Sequence, residues 1–444
     1  MFWEQPVQYA ALTDIGFCRQ NNQDSWVVQL RSDRETWTHR GHLFIVADGM
    51  GGHAVGELAS KLAVDTIPHS FDKQRQLPPL SALKSAIEDA NGAIHKKGQE
   101  NKEFLRMGTT CTTLLLGPLG AIIGHVGDSR AYRIRRLHID QVTADHSLVW
   151  ELIRQRKIHP SEAERVCPRN VITRSLGPDP VVRVDMEGPY PVLPGDTFVL
   201  CSDGLCGQLT DAEIGMVAAH LGPPTACRLL VNLANLRGGP DNITVIVVRA
   251  GAVPDEAASV ELPQPADRGE LGWGSFVAWC IIAGMFGVGM SLAALTPSTL
   301  PGLFLMAASV LALTFWALFV RRHLLAANRS EVTFDPSATV AWRPYRTASA
   351  RIQPQFVERL SKMEAELTQA AHEDGWPIDW AEHDRVSQKA RQSLQAKHWS
   401  GALAGFADCL DVLMAGVQWQ RKQLQHEARW GKTGTPLPKN REPT

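Results

Sequence analysis

The chain has 444 residues, with 45 lysines and arginines set against 46 aspartates and glutamates. That length exceeds one ordinary core and predicts two or three domains. A net charge of −1, with no basic stripe interleaved with aromatics, excludes nucleic acid as a partner, and eight scattered cysteines without a Cys-x-x-Cys pair fit a reducing cytosol.

The N-terminus carries no charged region followed by an apolar run, so no signal peptide is expected. Strand and helix signals then alternate over the first 250 residues. Residues 43–47 form a buried-strand run leading into a glycine-rich turn. Residues 54–67 predict a helix with Leu58, Leu62 and Ile67 near one face, and Leu80, Leu83, Ile87, Ala90 and Ile94 recur at helical spacing. Residues 109–116, 121–126, 131–134, 197–200 and 243–248 are rich in threonine, valine and isoleucine and predict strands. Thr210 and Glu213 make a capping box that opens a helix. Cys201 and Cys206 flank a turn, where small-residue packing is the expectation and a zinc site the alternative. Clustered strands and helices predict a layered α+β domain with antiparallel sheets.

Four segments in this region place an aspartate beside glycine or asparagine at the end of an apolar run. They are Ala47-Asp48-Gly49-Met50-Gly51-Gly52-His53, Gly127-Asp128-Ser129-Arg130, Cys201-Ser202-Asp203-Gly204 and Gly239-Pro240-Asp241-Asn242, with Arg19-Gln20-Asn21-Asn22-Gln23-Asp24 upstream. One Asp-Gly is a turn. Several carboxylates converging at strand ends make a site for hard cations such as Mg²⁺ or Mn²⁺.

In order and neighbours, these five segments resemble the motifs of the PPM-type (type 2C) metal-dependent serine/threonine protein phosphatases. Residues 47–57 come closest to the bacterial branch, and the resemblance covers residues 7–250. It implies a layered α-β-β-α domain with two central antiparallel sheets flanked by helix pairs. It also implies hydrolysis of phosphoserine and phosphothreonine in proteins by water activated on two Mn²⁺ or Mg²⁺ ions, with a weaker third ion. Carried over residue by residue, the resemblance makes Asp48 the bridge between the two ions. Asp203 and Asp241 complete the first ion, and the backbone carbonyl of Gly49 joins Asp48 on the second. Asp128 shares the third with Asp203, Asp24 holds metal-bound water, and Arg19 grips the phosphate oxygens, a task suited to a planar fork of donors. Asn242 orders the loop around Asp241. Two departures stand out. Gln23 replaces a glutamate that ligates the second ion in the eukaryotic branch, which leaves its coordination open. Met50 replaces a general-acid histidine; His53 lies nearby, and the general acid is left unassigned. Residues 148–171 resemble the family's mobile flap, and His146 before it is expected to be a capping or structural residue, with substrate contact as the alternative.

Beyond residue 250 only pattern guides the reading. Residues 251–270 are a proline-rich linker. From Gly272 to Val320 there is no Asp, Glu, Lys, Arg or His, broken by Pro297 and Pro301, which predicts two transmembrane helices over 271–320. Arg321, Arg322 and the arginines up to Arg351 favour the cytoplasmic side for the basic juxtamembrane linker 321–353. Two spans return the chain to the side it left, so an inner-membrane protein is expected with its catalytic and C-terminal parts both cytoplasmic. Residues 354–430 predict a helical domain with apolar stripes through Phe356, Leu360, Met363 and Leu367, through Val386, Ala390 and Leu394, and through Leu403, Phe406, Leu410, Leu413 and Val417. The third stripe faintly resembles one tetratricopeptide helix; a small bundle or a dimerising hairpin fits equally, with self-association or partner capture as its task. His383, His398 and His426 are expected at a surface or interface, and residues 431–444 form a disordered tail. The functional expectation is a membrane-anchored phosphatase opposing a serine/threonine kinase. The alternative is a catalytically weak sensor or membrane adaptor acting through the C-terminal helices.

Overall fold

The computed structural model describes residues 7–51, 54–104, 106–155, 157–158, 171–251 and 344–430, with scattered single positions between 288 and 314. In chain order the elements are β1 (Gln8–Asp14), β2 (Asp24–Gln29), α1 (Arg34–Arg40), β3 (His42–Met50), α2 (Ala54–Lys73), α3 (Pro79–Glu100), β4 (Gly108–Thr109), β5 (Cys111–Gly117), β6 (Gly120–Val126), β7 (Arg130–Arg135) and β8 (His138–Gln141). They continue with α4 (Leu148–Arg154), β9 (Asp185–Tyr190), β10 (Thr197–Cys201), α5 (Asp203–Cys206), α6 (Asp211–His220), α7 (Pro223–Leu236), β11 (Ile243–Arg249), β12 (Arg346–Ser349), α8 (Pro354–Glu373), α9 (Trp380–Gln395) and α10 (Trp399–Trp430).

Two antiparallel sheets result. The first runs β1-β11-β10-β7-β8-β12 and the second β2-β3-β5-β6-β9, with β4 paired to β3. Strand alternation explains how they stack, because successive side chains of a strand point to opposite faces. In β11, Ile246 and Val248 meet Phe44, Leu114 and Phe198 between the sheets, while Ile243, Val245 and Val247 face α6 and α7 on the outer side. The outer face of the second sheet is covered by α2 and α3 through Ala59, Ile67, Leu83 and Ile87. The α-β-β-α layering expected of residues 1–250 is therefore present, and both halves of the Thr210–Glu213 capping box are formed.

The C-terminal region departs from expectation. The sequence predicts a basic linker over 321–353 and then a helical domain over 354–430 whose apolar stripes serve self-association or partner capture. The structure instead gives Arg346–Ser349 as an edge strand on β8, in the register Arg346↔Gln141 to Ser349↔His138. Ala350 is fully buried beside Gly215 of α6, and its nitrogen donates to Leu137 O at 2.8 Å. Phe356, Leu360, Leu403, Phe406 and Leu410 then join one continuous core with Leu229, Leu230 and Leu233 of α7. The stripes that seemed to need a partner are covered within the chain: α7 is apolar on two faces and offers the second to α10. His383 is likewise not a surface residue. It is 2% exposed, with Nε2 3.2 Å from the buried Glu364 carboxylate, which also receives Arg391 at 2.8 Å.

The linker 251–270, the spans 271–320 and the tail 431–444 lie outside the described residues, apart from Gly251 and the scattered positions already named. Among the described residues one helix, Trp399–Leu424, is long and apolar enough to cross a membrane. Its apolar side chains form the core just described, as expected of the central helix of a folded unit.

Candidate active site

Five aspartates come together at one end of the sandwich because each sits where a strand begins or ends. Asp24 opens β2 and lies directly across from Asp48 near the end of β3. Asp128 sits between β6 and β7, Asp203 follows β10, and Asp241 precedes β11. The β3 turn is held by Thr110, whose hydroxyl accepts from Asp48 N at 2.9 Å while its own nitrogen donates to Asp48 O at 2.8 Å. Gly49 is required by contact: a Cβ there would lie 2.0 Å from the Gly56 carbonyl oxygen in α2. Ser202, one residue before Asp203, donates to Asp24 Oδ2 at 2.8 Å and receives Thr244 N at 2.9 Å, tying three of the motifs together.

Asn242 fastens the β1–β2 loop to the same end. Its Nδ2 donates to Ile15 O at 2.9 Å and to Asn21 O at 3.0 Å, and its Oδ1 receives Gln23 N at 2.8 Å. Gln23 O in turn accepts from Gly49 N at 3.1 Å and from the Ser60 hydroxyl at 2.6 Å. Gly16 turns that loop with φ +74°, and a Cβ there would lie 2.1 Å from Asp241 O. Arg19, on the exposed rim, donates Nη2 to Asp241 Oδ2 at 2.7 Å.

The carboxylates crowd one another. Burial and then the charges of Asp24, Asp203, Asp128 and Asp241 hold the Asp48 carboxyl well above its usual range. Burial lifts Asp24 to about 7, against hydrogen bonds from Thr244 and Ser202, and lifts Asp128 to about 8 with help from Asp203. Asp203 is raised by burial and by Asp241. Asp24 Oδ1, Asp128 Oδ1 and Asp203 Oδ1 are buried without a hydrogen-bond partner. Such a set repels itself unless positive charge enters, and its donors are all hard oxygens, so it fits divalent Mg²⁺ or Mn²⁺. Among the described residues, no three His, Cys, Asp or Glu side chains stand in positions that would hold a metal ion as they are placed, so the fit rests on the donor chemistry and the unpartnered oxygens.

The remaining motif residues are structural. Arg130 donates Nε to Asp145 Oδ1 at 2.9 Å and Nη2 to Asp145 Oδ2 at 2.6 Å. His146 Nδ1 accepts from Gly127 N at 2.9 Å, and its Nε2 lies 2.9 Å from both Asp185 Oδ2 and Arg174 Nη1. Ser147 caps α4 through Trp150 N. His146 thus braces the turn beside Asp128. Met50 is described and His53 is not, and most of the expected flap at 148–171 lies outside the described residues. Thr110 and Ser60 are the site residues that sequence reasoning missed. Ser60 lies inside α2 and Thr110 in the one-residue break between β4 and β5, within a run that reads as a single strand, where no local signal separates a bracing hydroxyl from a packed one.

Comparison with known proteins adds a second line of evidence. The family described as Protein phosphatase 2C matches residues 19–226. Protein phosphatase PhpP of Streptococcus pneumoniae is 36% identical over 247 residues, covering 54% of this chain and 97% of PhpP. Serine/threonine protein phosphatase PstP of Mycobacterium tuberculosis is 32% identical over 274 residues, covering 59% of this chain and 51% of PstP. The chain therefore spans about half the length of PstP. The crystal structure of M. tuberculosis PstP/Ppp aligns at 33% identity over 55% of this chain and 99% of that one, with a TM-score of 0.49.

Proposed function

The chain belongs to the protein phosphatase 2C family, among the bacterial PPM-type serine/threonine phosphatases, and from that premise we propose that it removes phosphate from phosphoserine and phosphothreonine in proteins, opposing a serine/threonine kinase at the membrane. The observation that carries the activity is the cluster of five aspartates at one sheet end, three of them with a buried, unpartnered oxygen.

The family is metal-dependent. Asp48, the Gly49 carbonyl, Asp203 and Asp241 would hold two divalent cations, with Asp128 and Asp203 available to a weaker third. Bound there, the cations supply charge neutralisation of the phosphate ester and an activated water. The protein's own residues set the geometry. Thr110 fixes the Asp48 backbone, Ser202 fixes Asp24, and Arg19 on the rim is free to swing from Asp241 to an incoming phosphate, since its side chain is 47% exposed. An exposed ion pair of this kind is worth about 0–1 kcal/mol, so a dianionic phosphate competes for it readily.

The charge-free run 272–320, broken by Pro297 and Pro301, supports anchoring by two spans, with the arginines from Arg321 onward on the cytoplasmic side. The direct test of the activity is phosphate release from a phosphothreonine peptide by the purified full chain, with Mn²⁺ or Mg²⁺ and with EDTA. Turnover that persists in EDTA, or is absent with both metals, sinks the proposal.

A further inference from the structure

The family match ends at residue 226, yet a residue far beyond it reaches the active-site rim. Arg421, on the last described turns of α10, donates Nη1 to Gly16 O and Nη2 to Phe17 O, the latter at 2.9 Å. Its guanidinium also lies over the Phe17 ring, 5.1 Å from the centroid. Gly16 and Phe17 belong to the short loop that carries Arg19. The loop rests on the Asp241 loop below it, since Phe17 N and Cys18 N both donate to Gly239 O, at 2.7 and 3.1 Å. One planar fork thus grips two successive carbonyls of the segment that ends in the proposed phosphate-binding arginine. From β1 through Phe17 the loop is held by Asn242 and Gly239 on one side and by Arg421 on the other.

We propose that Arg421 is a positioning residue for Arg19, so that full affinity for the phosphorylated substrate requires the C-terminal helices docked against the phosphatase domain. The inference rests on the assignment of Arg19 as the phosphate-gripping group. The helices that cover α7 deliver Arg421 to the loop, and α10 is long enough to do so because it continues past its buried stripe, which ends near Leu413 and Met414. The loop offers carbonyls and an aromatic face, which a guanidinium matches and a neutral aliphatic side chain does not.

The test uses the full chain, with KM and kcat measured on a phosphothreonine peptide for Arg421→Ala, Arg421→Lys, Arg19→Ala and the double alanine variant. A loop displaced by a fraction of an ångström is expected to raise KM by about 10-fold in Arg421→Ala with kcat changed less than about 2-fold, and Arg421→Lys should recover part of it. The double variant should be no worse than Arg19→Ala alone, because two residues acting through one contact do not add. Unchanged KM in Arg421→Ala, or additive effects in the double variant, overturns the inference while leaving Arg19 assigned. An unchanged KM in Arg19→Ala overturns the assignment itself. Thermal melting of each variant separates a displaced loop from an unfolded one: a rise in KM that tracks a lowered Tm and appears equally in Arg421→Lys would make Arg421 a purely structural clamp.

Discussion

Arg19 Nη2 lies 2.7 Å from Asp241 Oδ2, so the side chain expected to hold substrate phosphate rests on one expected to hold metal. The two roles compete for the same charge. Arg19→Ala is therefore expected to raise KM for phosphopeptides by about 10-fold and, by freeing Asp241, to lower the Mn²⁺ concentration needed for half-maximal activity by no more than about 5-fold, the equivalent of an exposed pair worth up to about 1 kcal/mol. Metal titrations of both proteins check it. A higher Mn²⁺ requirement in the variant would make Arg19 a support of the Asp241 loop.

Asp48→Asn should lower turnover by more than about 100-fold while the domain stays folded, since a neutral amide cannot balance two dications and losing even an outer-sphere support costs a metal site about 10–100-fold. Circular dichroism and melting curves should match the parent, or improve on it, because the substitution relieves repulsion among Asp24, Asp128 and Asp203. Near-normal manganese-dependent activity would remove Asp48 from the bridging role.

Glu213 gives a pH dependence away from the metal site. Burial pushes its carboxyl up, but hydrogen bonds from Arg237 at 2.7 and 2.9 Å and from Thr210 overcome this and lower it from 4.5 to about 2. A folded pKa below the unfolded one contributes stability that is present above the unfolded value and is lost as pH falls from about 4.5 towards 2. Glu213→Gln should thus lower stability at pH 7 by roughly 1–3 kcal/mol, below the ceiling of about 3.4 kcal/mol set by the fall from 4.5 to about 2 because Arg237 is partly exposed to solvent, and flatten the acid limb of the pH–stability curve. Parallel acid limbs in urea melts of variant and parent would argue that the ion pair contributes nothing.

Removing residues 258–444 is expected to yield an aggregating or strongly destabilised protein. Truncation there uncovers α7 beside Phe406 and Leu410 and strips β8 of its edge partner. Replacing only 258–339 by a flexible glycine–serine linker should preserve the fold, with a Tm within a few degrees of the parent. A monomeric, fully active 1–257 fragment would show that the docked helices are dispensable.

Topology reporters at residues 260 and 340 should both report cytoplasm, and one near Ser298 the opposite side, as two spans require. Opposite sides for the two flanks would leave a single span.

The motif aspartates were legible because each carries its own local mark: an apolar run that stops or starts at Asp-Gly, Asp-Ser or Asp-Asn. The strands behind them were legible for the same reason, as were α2, α3 and the Thr210 cap. What could not be read was pairing between distant, weakly marked segments. Arg346-Thr347-Ala348-Ser349 has a single apolar residue, so nothing local announces the edge strand that it forms on β8. The Leu403–Phe406–Leu410 stripe announces burial but not the surface that buries it, and a partner protein satisfies the pattern as well as α7 does. Arg421 is one of many exposed-looking arginines in the sequence; its grip on Gly16 and Phe17 exists only once α10 has docked.

Because β12 closes the β8 edge of the first sheet, that sheet is built from both ends of the chain. On the ribosome, β8 leaves the exit tunnel some 200 residues ahead of the strand that seals it. At about 5–20 residues per second, the phosphatase portion spends roughly 10–40 s with an open strand edge and a bare α7 face. During that interval the open edge and the bare face are exposed to misassociation, and the docking of β12 and the helices after it is the closing step.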